Sequence, residues 1–291
     1  MFFQEKRVKI KRGYLLTLPA MALIFLILVI PLFYAVYCSL FNLNNLVKGK
    51  FLGLGNYLYL FKDPEITNSF IRTIVITVSA VFISLICGLI LALWIDRHSG
   101  SFAWTIEMIG LIPWVLSMVV GALLWRWLFT ADFGLVDLLV TKVTGRSANL
   151  LSSVRSSQIL LVFVLAWRTI GYSMIMILAG LKTLSADLIE AARIDGANVW
   201  QTLTRIKLPL IKTPMLVSSI VLTLSNFTNN TVPLVLTAGG PGSATNVITL
   251  HLYKISFQYY QFGRSAALAV LVFIVTLLMV IFYTKVVDYE I

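Results

Sequence analysis

Two short runs place hydrogen-bonding side chains inside otherwise apolar sequence. In "AWRTIGYSM" (166–174) Arg168 and Tyr172 are four residues apart. On a helix they share a face, with Trp167 and Thr169 beside them. In "LSNFTNNTVP" (224–233) Asn226 precedes Asn229 by three residues and Asn230 by four, again on one face, with Ser225 adjacent. Amides and hydroxyls supply both donors and acceptors, which the hydroxyls of a sugar need. Aromatic rings can stack on a sugar's apolar face. Arginine adds a fixed cation, suited to a uronate or phosphate ester, to a backbone carbonyl, or to snorkelling toward the interface. Polar groups inside apolar spans are expensive and mark candidate pathways. The competing use is hydrogen bonding between helices, at about 1 kcal/mol or less per contact. Tyr172, Asn226 and Asn229 are therefore the candidate pathway residues, with Ser225, Trp167 and Arg168 close by.

The elements that must position them are set by composition. Of 291 residues, 59% are hydrophobic and 12% charged, with mean hydropathy +0.93. Soluble domains carry roughly 25% charged residues. The chain is thus an integral membrane protein. Its net charge of +11 lies mainly in short loops beside apolar spans, which points to bilayer orientation rather than nucleic-acid binding. Cys38, Cys87, His98 and His251 are isolated, so neither a metal site nor a disulfide framework is expected. No G-x-x-x-x-G-K-[ST], H-E-x-x-H or G-x-S-x-G occurs. No catalytic residues are assigned and no enzyme is expected. Active transport would draw its energy from another chain.

Six stretches are long enough to cross a hydrocarbon core, at about 14–37, 70–95, 103–128, 157–181, 213–237 and 265–287. Their continuous apolar runs predict helices, not barrel strands. The fold expected is all-α, a single transmembrane domain over 14–291 behind a basic segment, 1–13. "KRVKIKRG" precedes the first span, which lacks a cleavage site and reads as an uncleaved anchor. That basic cluster, with Arg97, Lys182, Arg193, Arg205, Lys207 and Lys285, places both termini in the cytoplasm. Segment 184–210, between the fourth and fifth spans, then faces the cytoplasm too.

That segment reads as helix, turn, helix. Ser185 suits an N-cap and Asp187 the positive end of a first helix. Gly196 interrupts it. A second helix runs from about Asn198, with an apolar stripe at Val199, Leu203 and Ile206, and Pro209 stops it. An exposed apolar stripe needs a partner, either headgroups, the protein's own helix ends or a separate protein.

The run "EAARIDGANVWQTLTRIKLP" resembles the EAA motif of ABC-importer permeases. Glu190, Ala191, Ala192, Gly196, Ile206, Leu208 and Pro209 match it position by position, and Asp195 falls within it. "FLGLGNYLYLFKDPEITNSFIRTIVIT" (51–77) and "VLTAGGPGSATNVITLHLYKISFQYYQFGRSAALAV" (235–270) resemble segments of the sugar-type permeases. The likeness covers about 50–287 and is similar to the maltose and glycerol-3-phosphate importers, in the pattern of the first permease of the pair.

The resemblance implies that helices 184–210 dock in a groove of an ATPase subunit. It implies a second permease, two ATPase subunits and an extracytoplasmic solute-binding protein as partners, in a bacterial or archaeal cytoplasmic membrane. ATP and Mg would be used by the ATPase, with no cofactor bound by this chain. It also implies sugar contacts at Tyr172, Asn226 and Asn229. The solute expected is a sugar; glycerol-3-phosphate or another anionic solute is the alternative. A stand-alone secondary transporter would more often show intramembrane carboxylates and inverted repeats, and Glu107 is the one carboxylate suggested within a span.

Overall fold

The computed structural model describes residues 17–45, 47–98, 100–145, 147 and 149–286. The basic segment 1–13, the start of the first predicted span and the end of the sixth lie outside them. The fold divides into two compact units. Residues up to 63 with 252–274 form one, and 64–251 with the chain from 275 onward form the other.

In the first unit, α1 (Thr17–Ser39) leads into a hairpin of β1 (Phe41–Asn44) and β2 (Val47–Phe51), then α2 (Gly55–Lys62). Near Pro31 the helix widens into a π segment, Phe25–Val29, where Ile30 N–H reaches Phe25 O. A proline in a helix removes a donor and crowds the carbonyl four residues back, so local rewinding is the physical response. The strands pair antiparallel, Phe41 opposite Phe51 and Asn44 opposite Val47. This short hairpin, whose first strand alternates apolar and polar residues as Phe41-Asn42-Leu43-Asn44, is a small addition to a mostly helical chain. Buried Asn56 fastens it by donating from Nδ2 to the carbonyls of Ser39 (2.7 Å) and Phe41 (3.0 Å).

The second unit begins with α3 (Pro64–Arg97) and continues through α4 (Ser101–Val115), α5 (Met118–Phe129), α6 (Leu135–Thr144) and α7 (Val154–Lys182). Then follow α8 (Ala186–Ile194), α9 (Val199–Leu210), α10 (Lys212–Phe227) and α11 (Thr231–Thr237). Two further helices, α12 (Ile248–Phe257) and α13 (Phe262–Val286), complete the described residues.

Among the described residues four unbroken helices are long and apolar enough to cross a membrane: α1, α3, α7 and Phe262–Lys285 of α13. The third predicted span, 103–128, is instead a bent pair, with α4 and α5 meeting at 98°. Pro113, buried near the end of α4, removes a backbone donor just before that break. The fifth, 213–237, is likewise interrupted between α10 and α11. Pro209 does not stop its helix. The π segment Thr202–Lys207 absorbs it, and α9 runs on to Leu210 before a 66° bend into α10.

Helix α7 is the axis of this unit, packing on α3, α4, α5, α10 and α11. Small residues allow the close approach, as is usual where lipid offers no hydrophobic drive between helices. Ser84 and Thr169 hydroxyls lie 2.7 Å apart between α3 and α7, and both residues are fully buried. Gly171 sits directly against the Gly110 carbonyl of α4. At the end carrying α8 and α9, an apolar cluster of Ala92, Ile95, Met174, Ile177, Leu181 and Ile211 joins α3, α7 and the α9–α10 bend.

Candidate functional site

Two sets of residues carry the candidate function. The first is the helix pair α8–α9. Ser185 occupies the N-cap position of α8, but its side chain makes no capping hydrogen bond. The other end is better closed. Gly196 has φ +81°, Gly196 N–H bonds Arg193 O at 3.1 Å and Ala197 N–H bonds Ala192 O at 2.9 Å. That paired pattern is a Schellman closure, whose left-handed residue favours glycine. Two residues on, Asn198 and Gln201 form a reciprocal capping box at 2.8 and 2.9 Å, starting α9.

Of the predicted coupling residues, Glu190, Ala191, Asp195, Gly196 and Pro209 are exposed, Ala192 is buried, and Ile206 and Leu208 are half-buried. The predicted stripe is only partly free: Leu203 and Ile206 are half-buried. The exposed apolar corner is Ile194, Val199 and Trp200, at 86%, 64% and 70% accessibility. Sequence reasoning missed Trp200, although a tryptophan straight after a polar turn is a legible signal. It also missed the anchor. Lys207 Nζ reaches Asp96 Oδ2 at 2.7 Å, and Lys182 Nζ lies 3.6 Å from Asp96 Oδ1. One carboxylate thus joins the ends of α3 and α7 to α9. No local pattern signals a pair 111 residues apart.

The second set surrounds the α4–α5 break. Arg168 donates from Nη1 to Leu116 O at 2.8 Å, and its guanidinium lies 5.9 Å from the Trp114 ring centre. A carbonyl freed at a helix break must find a donor inside the bilayer, and Arg168 supplies it. Tyr172, one turn on, packs its ring 4.7 Å from Trp114. From α10–α11, Asn229 Nδ2 lies 3.6 Å from Met118 Sδ, the first residue of α5. Arg168, Tyr172 and Asn229 therefore converge on residues 114–118. Trp167 does not join them. It packs edge-on to Trp125 at 5.3 Å, in a cluster with Phe129 and Phe163.

Asn226 and Asn229, alike in sequence, differ in structure. Asn229 Oδ1 accepts Val232 N–H at 3.0 Å and so caps the start of α11. Asn226 is buried, and its Nδ2 has no partner among the described residues. Such an orphan donor is rare and asks for an explanation. Ser225 is half-buried beside it. Arg126, with Trp125 and Trp127, has the look of an interfacial anchor in sequence. In the structure Arg126 Nη1 bonds Val235 O at 3.0 Å, tying α5 to α11, and Trp125 faces the aromatic cluster.

Because the Arg168 guanidinium is committed to Leu116, Arg168→Gln is expected to lower thermal stability. The lost charge-assisted bond is worth about 1–3 kcal/mol. Selectivity between neutral and acidic solutes should stay unchanged. Competition transport assays beside thermal unfolding check both, and a selectivity change with unaltered stability contradicts this placement.

The family model for the binding-protein-dependent transport system inner membrane component matches residues 53–288. The sulfoquinovosyl glycerol transport permease SmoG of Agrobacterium fabrum is 30% identical, over 94% of this chain and 89% of that protein. The trehalose/maltose transport permease MalF of Thermococcus litoralis is also 30% identical, over 95% and 93%. A solved bacterial ABC transporter involved in import of the acidic polysaccharide alginate superposes with TM-score 0.84 at 19% identity, over 98% of each chain. The chain therefore belongs to the inner-membrane components of binding-protein-dependent transport systems, the permease subunits of ABC importers.

Proposed function

We propose that this chain, paired with a second permease, forms the path by which an ATP-driven importer takes up a carbohydrate. The solute is delivered by an extracytoplasmic binding protein. Six crossings within one domain over 14–291, the bent pairs counted as single spans, put both termini in the cytoplasm of a bacterium or archaeon. Two ATPase subunits supply the energy, using ATP and Mg. The observation that carries this reading is the capped α8–α9 pair, whose apolar corner stays exposed while Lys207 ties it to Asp96. An exposed Ile194–Trp200 corner is what a separate protein would cover. A stand-alone secondary transporter gives that corner no use.

Support for a carbohydrate comes from relatives named for trehalose and maltose, for lactose and for sulfoquinovosyl glycerol, together with the amide and aromatic groups near the α4–α5 break. Arg168, already engaged with backbone, gives no support to an anionic solute. Asn226 separates a solute contact from helix glue. Asn226→Leu removes a buried donor that has no partner, so stability should hold or rise. Sugar uptake, and sugar-dependent stimulation of the ATPase, should fall about tenfold, the effect of one lost polar contact. Asn229→Ala should instead cost about 1 kcal/mol of stability through the lost cap. Full uptake by stable Asn226→Leu would remove that residue from the path.

A further inference from the structure

We propose that the groove between α3 and α7 binds one anionic phospholipid, with its phosphate at Arg155 and an acyl chain running down the groove. The groove encloses about 770 Å³. On α3 it is lined by Ile71, Arg72, Val75 and Ile83, and on α7 by Arg155 and Phe163 among others. The two helices run parallel, since Ser84 meets Thr169 and Gly88 lies opposite Ser173. Both arginines therefore lie at the same end. That end is the one remote from Asp96: Arg72 and Asp96 on α3 are separated by about 36 Å at 1.5 Å per residue. This exceeds a hydrocarbon core of about 30 Å, so the arginines reach the headgroup layer opposite α8 and α9.

The charge at that end is net positive. Arg72 is paired with Glu65 at 2.9 Å, and Arg155 adds a second, exposed cation. Gln158 donates to Ala244 O at 2.9 Å and so frames the mouth without adding charge. Below the arginines the walls turn apolar: Val75, Ile159 and Phe163 are all exposed. From Ile71 to Ile83 the groove extends about 18 Å along α3, close to the depth of one leaflet. A partner helix crossing the bilayer would need a groove of nearly twice that length. It would also have no use for the cation at the mouth. A headgroup phosphate satisfies Arg155, and a single leaflet's acyl chain fits the rest.

The test uses the assembled transporter, purified from the membrane and exchanged into nanodiscs holding phosphatidylglycerol and phosphatidylethanolamine. Retained lipid is counted by native mass spectrometry. The wild type should retain phosphatidylglycerol in preference to phosphatidylethanolamine. Arg155→Gln should lose about fivefold of that preference, and Arg155→Lys should keep it. Val162 also lines the α7 wall, and Val162→Trp, which fills the groove, should expel the lipid while leaving both cations in place. Equal retention in the wild type, Arg155→Gln and Val162→Trp overturns the assignment. A helix of another subunit seated in the groove also overturns it. Because retention is read directly, the result is independent of which solute is transported.

Discussion

Gly171→Leu is expected to leave no measurable folded permease. At Gly171 the axial helix α7 meets α4 with no side chain between them. A Cβ there would strike the Gly110 carbonyl oxygen and sit 3.0 Å from Gly110 C and 3.1 Å from Leu111 Cα. These are backbone atoms of a helix, which cannot rotate aside as a side chain would. Overpacking ordinarily costs about 1–3 kcal/mol, and more when the obstacle is rigid. The same helix also carries Arg168 and Tyr172 toward residues 114–118, so a shift of α7 against α4 disturbs the break directly. Gly171→Ala, which adds the clashing Cβ alone, should already be destabilised, whereas the matched Gly121→Ala should not, because its Cβ would meet the Trp167 ring at an ordinary 3.5 Å. Size-exclusion profiles and thermal unfolding of these variants decide the matter. A monodisperse Gly171→Leu protein with near-normal stability contradicts the packing argument.

Lys207→Met should separate ATP hydrolysis from uptake. The Asp96 and Lys207 side chains are only 17% and 15% accessible, and they are 2.7 Å apart. Removing one partner of so enclosed a pair strands the other, a loss of roughly 2–4 kcal/mol. Lys182, at 3.6 Å and 60% accessible, compensates only in part. The local consequence is that α9 loses its polar tie to α3, although Ile211 stays buried in the apolar cluster beneath it. Reconstituted vesicles should therefore show uptake reduced about tenfold or more at comparable ATPase activity, the scale of an interaction of this size. Reversing the charges, Asp96→Lys with Lys207→Asp, should restore part of the uptake. Wild-type uptake in Lys207→Met would show that the tie transmits nothing.

Much of the architecture was legible because lipid imposes a coarse rule. Runs such as 70–95 and 157–181 read as helices from length and hydropathy alone, and α3 and α7 contain them. Pro113 and Pro233 border the two breaks in sequence, but a proline alone does not tell a kink from a full break. Residues 114–118, "WVLSM", are as apolar as an intact helix, yet a 98° turn follows Pro113 there, and the Leu116 carbonyl is met by Arg168, 52 residues away. Gly196 announced its turn because a left-handed residue has a strong local signature. Asp96 gave none, because its role is made by two lysines that arrive from distant helices. The asparagines show the limit most clearly. Spacing put Asn226 and Asn229 together, but only the fold distinguishes a helix cap from an orphan donor.

The elbow between α8 and α9 has a mechanical consequence. Residues 195–198 are closed on one side by the two hydrogen bonds at Gly196 and on the other by the Asn198–Gln201 pair. No slack backbone remains at the corner. On the reading proposed above, a docked ATPase subunit pressing on α8 at Ile194 would therefore move α9 with it, with no loose loop between them. On that reading the corner works as a stiff crank, and the Asp96–Lys207 pair further along α9 is its bearing.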